Sequence, residues 1–144
     1  MIHYITLRAF VHATENPSKV ETALRLFIPE DCEINTSKTE GHFGNPITVF
    51  TAKLEKRACK PFMEILKCLP AAELSKLRRE VEQRVDDDCN FHIRLDKQSA
   101  CNGTVRLTRT EDAIDIKMKV KTYPSKRDSA IKIMEGLLSN AQVL

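Results

Sequence analysis

Asp86-Asp87-Asp88 is the densest run of potential metal ligands in the chain. Consecutive carboxylates suit a hard divalent cation such as Mg²⁺. Acids at the end of a helical pattern and just before a strand also read as a solvated turn, and that reading is the stronger. The histidines His3, His12, His42 and His92 fall at no metal-ligand spacing. Cys32, Cys59, Cys68, Cys89 and Cys101 are separated by 27, 9, 21 and 12 residues, with no CxxC pair. They read as small apolar residues of a reducing cytoplasm rather than a zinc site or disulfide framework. No serine sits in a nucleophile elbow, and no glycine run has the GxGxxG or GxxxxGK[ST] spacing of a nucleotide cradle. The expectation is a protein with no catalytic residues, no metal and no cofactor.

Gly41-His42-Phe43-Gly44-Asn45-Pro46 is the most unusual local sequence, holding two of the chain's four glycines. Glycine permits close backbone approach to a phosphate, with His42 and Asn45 as added donors. A structural hairpin loop is the simpler alternative.

The basic residues carry a clearer pattern. The chain has 144 residues with 23 Lys+Arg against 20 Asp+Glu, a formal charge of +3. Residues 1–88 hold 13 basic and 14 acidic side chains, net −1; residues 89–144 hold 10 and 6, net +4. Within the second part, Lys117, Lys119 and Lys121 share one face of a strand, because side chains alternate with period two. Arg94, Arg106 and, if the register permits, Arg8 take the same polar phase on neighbouring strands. Like charges at i, i+2 and i+4 repel one another, so such a face suits a polyanion. A solvated face that discourages edge pairing is the alternative. Phe10 lies beside Arg8 in that phase, where it could stack on a base.

These residues must be positioned by strands and helices that alternate along the chain. Ile5, Leu7, Ala9 and Val11 share one face of a strand over Ile2–His12. Asn16-Pro17 reads as an N-cap and first helical residue, followed by the stripe Val20, Ala23, Leu24, Phe27 and Ile28 up to Pro29. Cys32–Lys38 is a short polar edge strand. Ile47–Lys56 changes phase after Val49, which predicts either a bulge or a strand buried on both sides at one end. Ala58, Phe62, Ile65, Leu66 and Leu69 stripe one helix, and Leu74, Leu77, Val81 and Val85 another beyond Pro70. Cys89–Asp96, Gly103–Arg109 and Ala113–Thr122 alternate as strands of an antiparallel sheet, with turns at Asn102-Gly103 and Glu111-Asp112. Ser125-x-x-Asp128 resembles a capping box before the helix striped by Ala130, Ile131, Met134, Leu137, Leu138 and Ala141.

The order β-α-β-β-α-α-β-β-β-α predicts an α+β fold: a two-layer, mainly antiparallel sheet with helices packed on one face. No linker or repeat divides residues 1–144, so one domain is expected. No apolar run approaches the roughly 18–20 residues of a membrane helix and no signal-peptide pattern opens the chain, which points to the cytoplasm and away from membranes.

Four blocks stand out in order along the chain: Val11-His12-Ala13-Thr14-Glu15, Gly41-His42-Phe43-Gly44-Asn45-Pro46-Ile47, Arg94-Leu95-Asp96-Lys97-Gln98 with Ala100 and Gly103, and Tyr123-Pro124. Together they resemble an archaeal family of RNA-binding or exosome-associated proteins. The resemblance implies a fold like the large-subunit ribosomal protein that binds 5S RNA. It also implies RNA binding linked to processing or decay through the exosome, or to ribosome assembly. The expected RNA contacts are Arg94, Lys97, Arg106, Lys117, Lys119 and Lys121, with His42 and Asn45 at the loop. The alternatives are a protein-interaction module or homodimer with no direct RNA contact, and last a metal-dependent enzyme built on Asp86–Asp88.

Overall fold

A computed structural model describes residues 1–40, 44, 46–124 and 126–140. His42, Asn45, Ser125 of the expected capping box and Ala141 lie outside the described residues.

Alternating apolar residues build the sheet. Strand β1 (Ile2–Val11) turns Ile5, Leu7, Ala9 and Val11 inward, all buried. It pairs with β3 (Pro46–Glu55) on one side and β5 (Ala113–Val120) on the other. The edges are β2 (Asn35–Glu40) and β4 (Asn90–Asp96), giving the all-antiparallel order β2-β3-β1-β5-β4. Every residue of β2 is exposed, as an edge made of Asn, Thr, Ser, Lys and Glu should be. In β3 the pairing with β1 runs without a register shift, and Val49 and Phe50 are both 8% exposed. The phase change is therefore burial on both sides at one end, and not a bulge.

The helices cover the inward face. Helix α1 (Pro17–Arg25) starts where the Asn16 side chain accepts a 2.9 Å bond from the Ser18 amide, and proline at the first position needs no partner. Helix α2 (Cys59–Leu66), preceded by a 3₁₀ turn at Lys56–Ala58, buries Cys59, Phe62 and Leu66. The Phe62 ring meets Phe27 at 6.2 Å between centroids. The second expected helix divides at Glu80 into α3 (Ala71–Arg79) and α4 (Val81–Arg84). The closing helix α6 (Arg127–Asn140) buries Ala130, Met134 and Leu138. Each large apolar side chain so covered contributes roughly 1.5–3 kcal/mol relative to exposure.

The segment after β4 departs from the sequence expectation. Lys97–Cys101 forms a short helix, α5, because the Asp96 carboxylate accepts bonds from the Ser99 amide (3.0 Å) and hydroxyl (2.6 Å). That local cap competes successfully with continued extension. Gly103 follows at φ +78°, a left-handed conformation that glycine adopts freely. The expected strand Gly103–Arg109 does not form. Only Leu95 and Leu107 make a bridge, with Asp96 N donating to Arg106 O and Thr108 N to Arg94 O. Val105 and Leu107 are the only apolar residues in phase, and the Glu73 carboxylate of α3 draws this segment toward the helices through the Arg106 guanidinium and the Leu107 amide.

Candidate nucleic-acid interface

The helices leave the opposite face of the sheet open. Its central row is set by register: Arg8 pairs with Asp115, and Asp115 with Arg94. The Asp115 carboxylate lies 3.6 Å from the Arg8 guanidinium and 3.3 Å from that of Arg94. One carboxylate between two guanidiniums orients both and leaves a positive excess. In the next row Lys117 stands between Thr6 and His92. Thr6, Arg8, His92, Arg94, Asp115 and Lys117 line a depression of about 430 Å³.

Across β1, β3, β4 and β5 this face presents five cations, Arg8, Lys53, Arg94, Lys117 and Lys119, against Glu55, Asp96 and Asp115. Asp96 is occupied in capping α5. Aromatic rings accompany the charge on β1. The Arg8 guanidinium sits 5.2 Å from the Phe10 centroid, and the Lys53 ammonium 4.5 Å from that of Tyr4. Both rings are half-buried, so each keeps part of its surface open.

The edge beyond β4 is ordered by Asp86. Its carboxylate accepts bonds from the Asp88 and Asn90 amides, both 2.9 Å, and meets His92 Nε2 at 2.7 Å. Partial burial works to raise the Asp86 pKa, but the hydrogen bonds from His92, Asn90 and Asp88 outweigh it and bring it down to about 2. These bonds commit Asp86 to the turn and to His92, in keeping with the turn reading of the acidic run. Among the described residues no group of His, Cys, Asp and Glu is placed to hold a metal ion.

The expected contacts do not all meet. Arg94 and Lys117 share the open face. Lys119 joins them, though its ammonium also donates to the Asp88 carbonyl. Lys121 lies one residue beyond β5 and lines a separate cavity beside α2. Arg106 is off the sheet, because its segment is not a strand, and its Nε lies 3.1 Å from Glu73 Oε1. Lys97 is not available to a phosphate: its side chain is 1% exposed and bonded to Glu15, Asp112 and the Phe10 carbonyl. Lys97 falls in the inward phase of β4, after Phe91, Ile93 and Leu95, so it faces the covered side, where α5 and its three partners hold it. Tyr4 and Lys53 were missed. Tyr4 is in phase with Thr6, Arg8 and Phe10 and could have been found, whereas Lys53 was hidden by the ambiguous phase of β3.

A basic, aromatic-bearing sheet face has the charge and ring content that suit a nucleic acid. Residues 4–120 match the family model RNA_binding, described as RNA binding. The chain belongs to this RNA-binding family. It is similar to the RNA-binding protein PAB1135 of Pyrococcus abyssi, at 41% identity over 143 residues covering 94% of this chain and 93% of that protein. Its fold is similar to protein AF2318 from Archaeoglobus fulgidus, with TM-score 0.87, 36% identity and coverage of 95% and 99% of the two chains. Mth689, a DUF54 protein from Methanothermobacter thermautotrophicus, gives TM-score 0.83 at 38% identity, covering 96% and 98%. The family match takes in β1 from Tyr4 onward and the other four strands whole, including Arg8 and Arg94. Among the described residues no helix is long and apolar enough to cross a membrane.

Proposed function

We propose that the chain binds RNA on the open sheet face, with phosphates against Arg8, Arg94, Lys117 and Lys119 and unstacked bases against Tyr4 and Phe10. The observation that carries this reading is the Arg8–Asp115–Arg94 row beside Lys117 on the side of the sheet that the helices leave uncovered. Phosphate contacts supply affinity with little sequence choice, and aromatic rings favour single-stranded or unpaired regions. The job that suits such a surface is accessory: holding an RNA for processing or decay, as at the exosome, or during ribosome assembly. Asp115 orients two guanidiniums and Asp86 holds the turn and His92, an arrangement that supports binding over chemistry.

The test is the salt dependence of RNA affinity. Replacing Arg8, Arg94 and Lys117 together with glutamine should lower the slope of log K against log salt by about two units for a single strand. An unchanged slope would remove this face from the proposal. Crosslinking to cellular RNA, with the bound RNA and the crosslinked peptide both identified, separates a decay substrate from a ribosomal one. If gel filtration shows a dimer whose interface buries Lys117, the protein-interaction alternative replaces RNA binding there.

A further inference from the structure

A second cavity, of about 680 Å³, opens at the end of the sheet where β5 runs out, between the start of β1, α2 and α6. Its floor is apolar, built from Ile2, Cys59, Met63 and Leu137. Its rim carries Lys56, Arg57, Lys60, Lys67 and Lys121 against the single carboxylate of Glu64. Glu64 is bound to Lys67 at 3.3 Å. Lys56, Arg57, Lys60 and Lys121 form no ion pair with a described residue, so four positive charges surround an apolar pocket with nothing to offset them.

We infer that this cavity receives one unpaired nucleotide of the bound RNA, its base on the apolar floor and its flanking phosphates on Lys56, Lys60 and Lys121. The inference rests on the RNA-binding reading above. Two observations favour this occupant. The rim's charge complements an anion while its floor complements a flat apolar group, and a nucleotide joins both in one residue. The cavity also adjoins the proposed interface. Lys117 and Lys119 lie on the open face, and Lys121, one residue past the end of β5, stands at the cavity rim. Two residues of chain span at most about 7 Å, so an RNA strand held at Lys119 ends beside the cavity.

The test compares three variants on a fluorescent single-stranded RNA of about 12 nucleotides, within the reach of one small binding module. Met63→Trp fills the floor and leaves every charge in place. Lys60→Gln with Lys121→Gln removes rim charge at exposed positions and leaves the floor intact. Arg8→Gln with Arg94→Gln and Lys117→Gln removes the open face. Loss of one base contact should weaken binding of Met63→Trp about tenfold, and replacing one nucleotide of the RNA by an abasic one should erase the difference between it and the wild type. The rim variant should lose about one unit of salt slope. Wild-type affinity in both cavity variants, with loss only in the open-face variant, would overturn the cavity inference and leave the interface standing. Wild-type affinity in all three would overturn both. Binding of phosphatidylglycerol vesicles that Met63→Trp abolishes, with RNA affinity unchanged, would reassign the cavity to an anionic lipid and overturn the inference.

Discussion

Lys97 places its ammonium 2.8 Å from the Glu15 carboxylate, 82 residues away along the chain. The same nitrogen is 3.0 Å from Asp112 and donates to the Phe10 carbonyl at 2.8 Å. One buried cation thus fastens the end of β1, the loop before α1 and the turn into β5. Removing it strands two carboxylates and a carbonyl. Lys97→Met should destabilise the fold by about 3 kcal/mol, the lower end of the range for a broken buried pair, because both carboxylates retain some solvent contact. Urea unfolding measures this, and a loss below about 1 kcal/mol would show that the network contributes little.

Asp86 makes stability depend on acid. Its pKa is brought down to about 2 from an ordinary 3.8. A folded-state pKa below the unfolded one means the ionised carboxylate favours folding. The contribution is complete above about pH 3.8 and disappears as the pH falls through about 2. Because the side chain is 38% exposed, solvent screens the His92 contact, so Asp86→Asn should cost about 1 kcal/mol or less at neutral pH. The gap between variant and wild type should close over that acidic window in pH-dependent unfolding. A gap that persists to pH 2 would mean the charge is not what matters.

The rings on β1 predict a preference for unpaired RNA. Tyr4→Ala and Phe10→Ala should each weaken single-stranded binding by at least about fivefold, from a stacking contribution of roughly 1–3 kcal/mol per base. Tyr4→Phe should retain the affinity, since it keeps the ring face. Equal losses on a duplex of the same length would argue against stacking.

A smaller effect isolates local from tertiary stabilisation. Asn16→Ala removes the acceptor for the Ser18 amide at the start of α1 and should cost about 1 kcal/mol in thermal or urea unfolding. RNA affinity should not change, because α1 lies on the covered side of the sheet. A change in affinity would place α1 in the interface.

The period-two alternation of β1, β4 and β5 and the apolar stripes of the helices were legible in the sequence because they are local regularities. They determined the α+β class, the edge position of the polar strand, the start of α1 at Asn16 and the common face of Arg8, Arg94 and Lys117. Tertiary structure decided the rest. Lys97 lies in the inward phase of β4, but the Glu15 and Asp112 carboxylates that hold it there, and the Glu73 that takes Arg106 across 33 residues, are supplied by the fold. Lys121 continues the lysine phase, but β5 ends before it and the α2 layer surrounds it with a different cavity. The physical reason is that alternation reports which way a side chain points relative to its neighbours in the chain. Which carboxylate waits there, and whether the strand continues, depends on residues that only folding brings near.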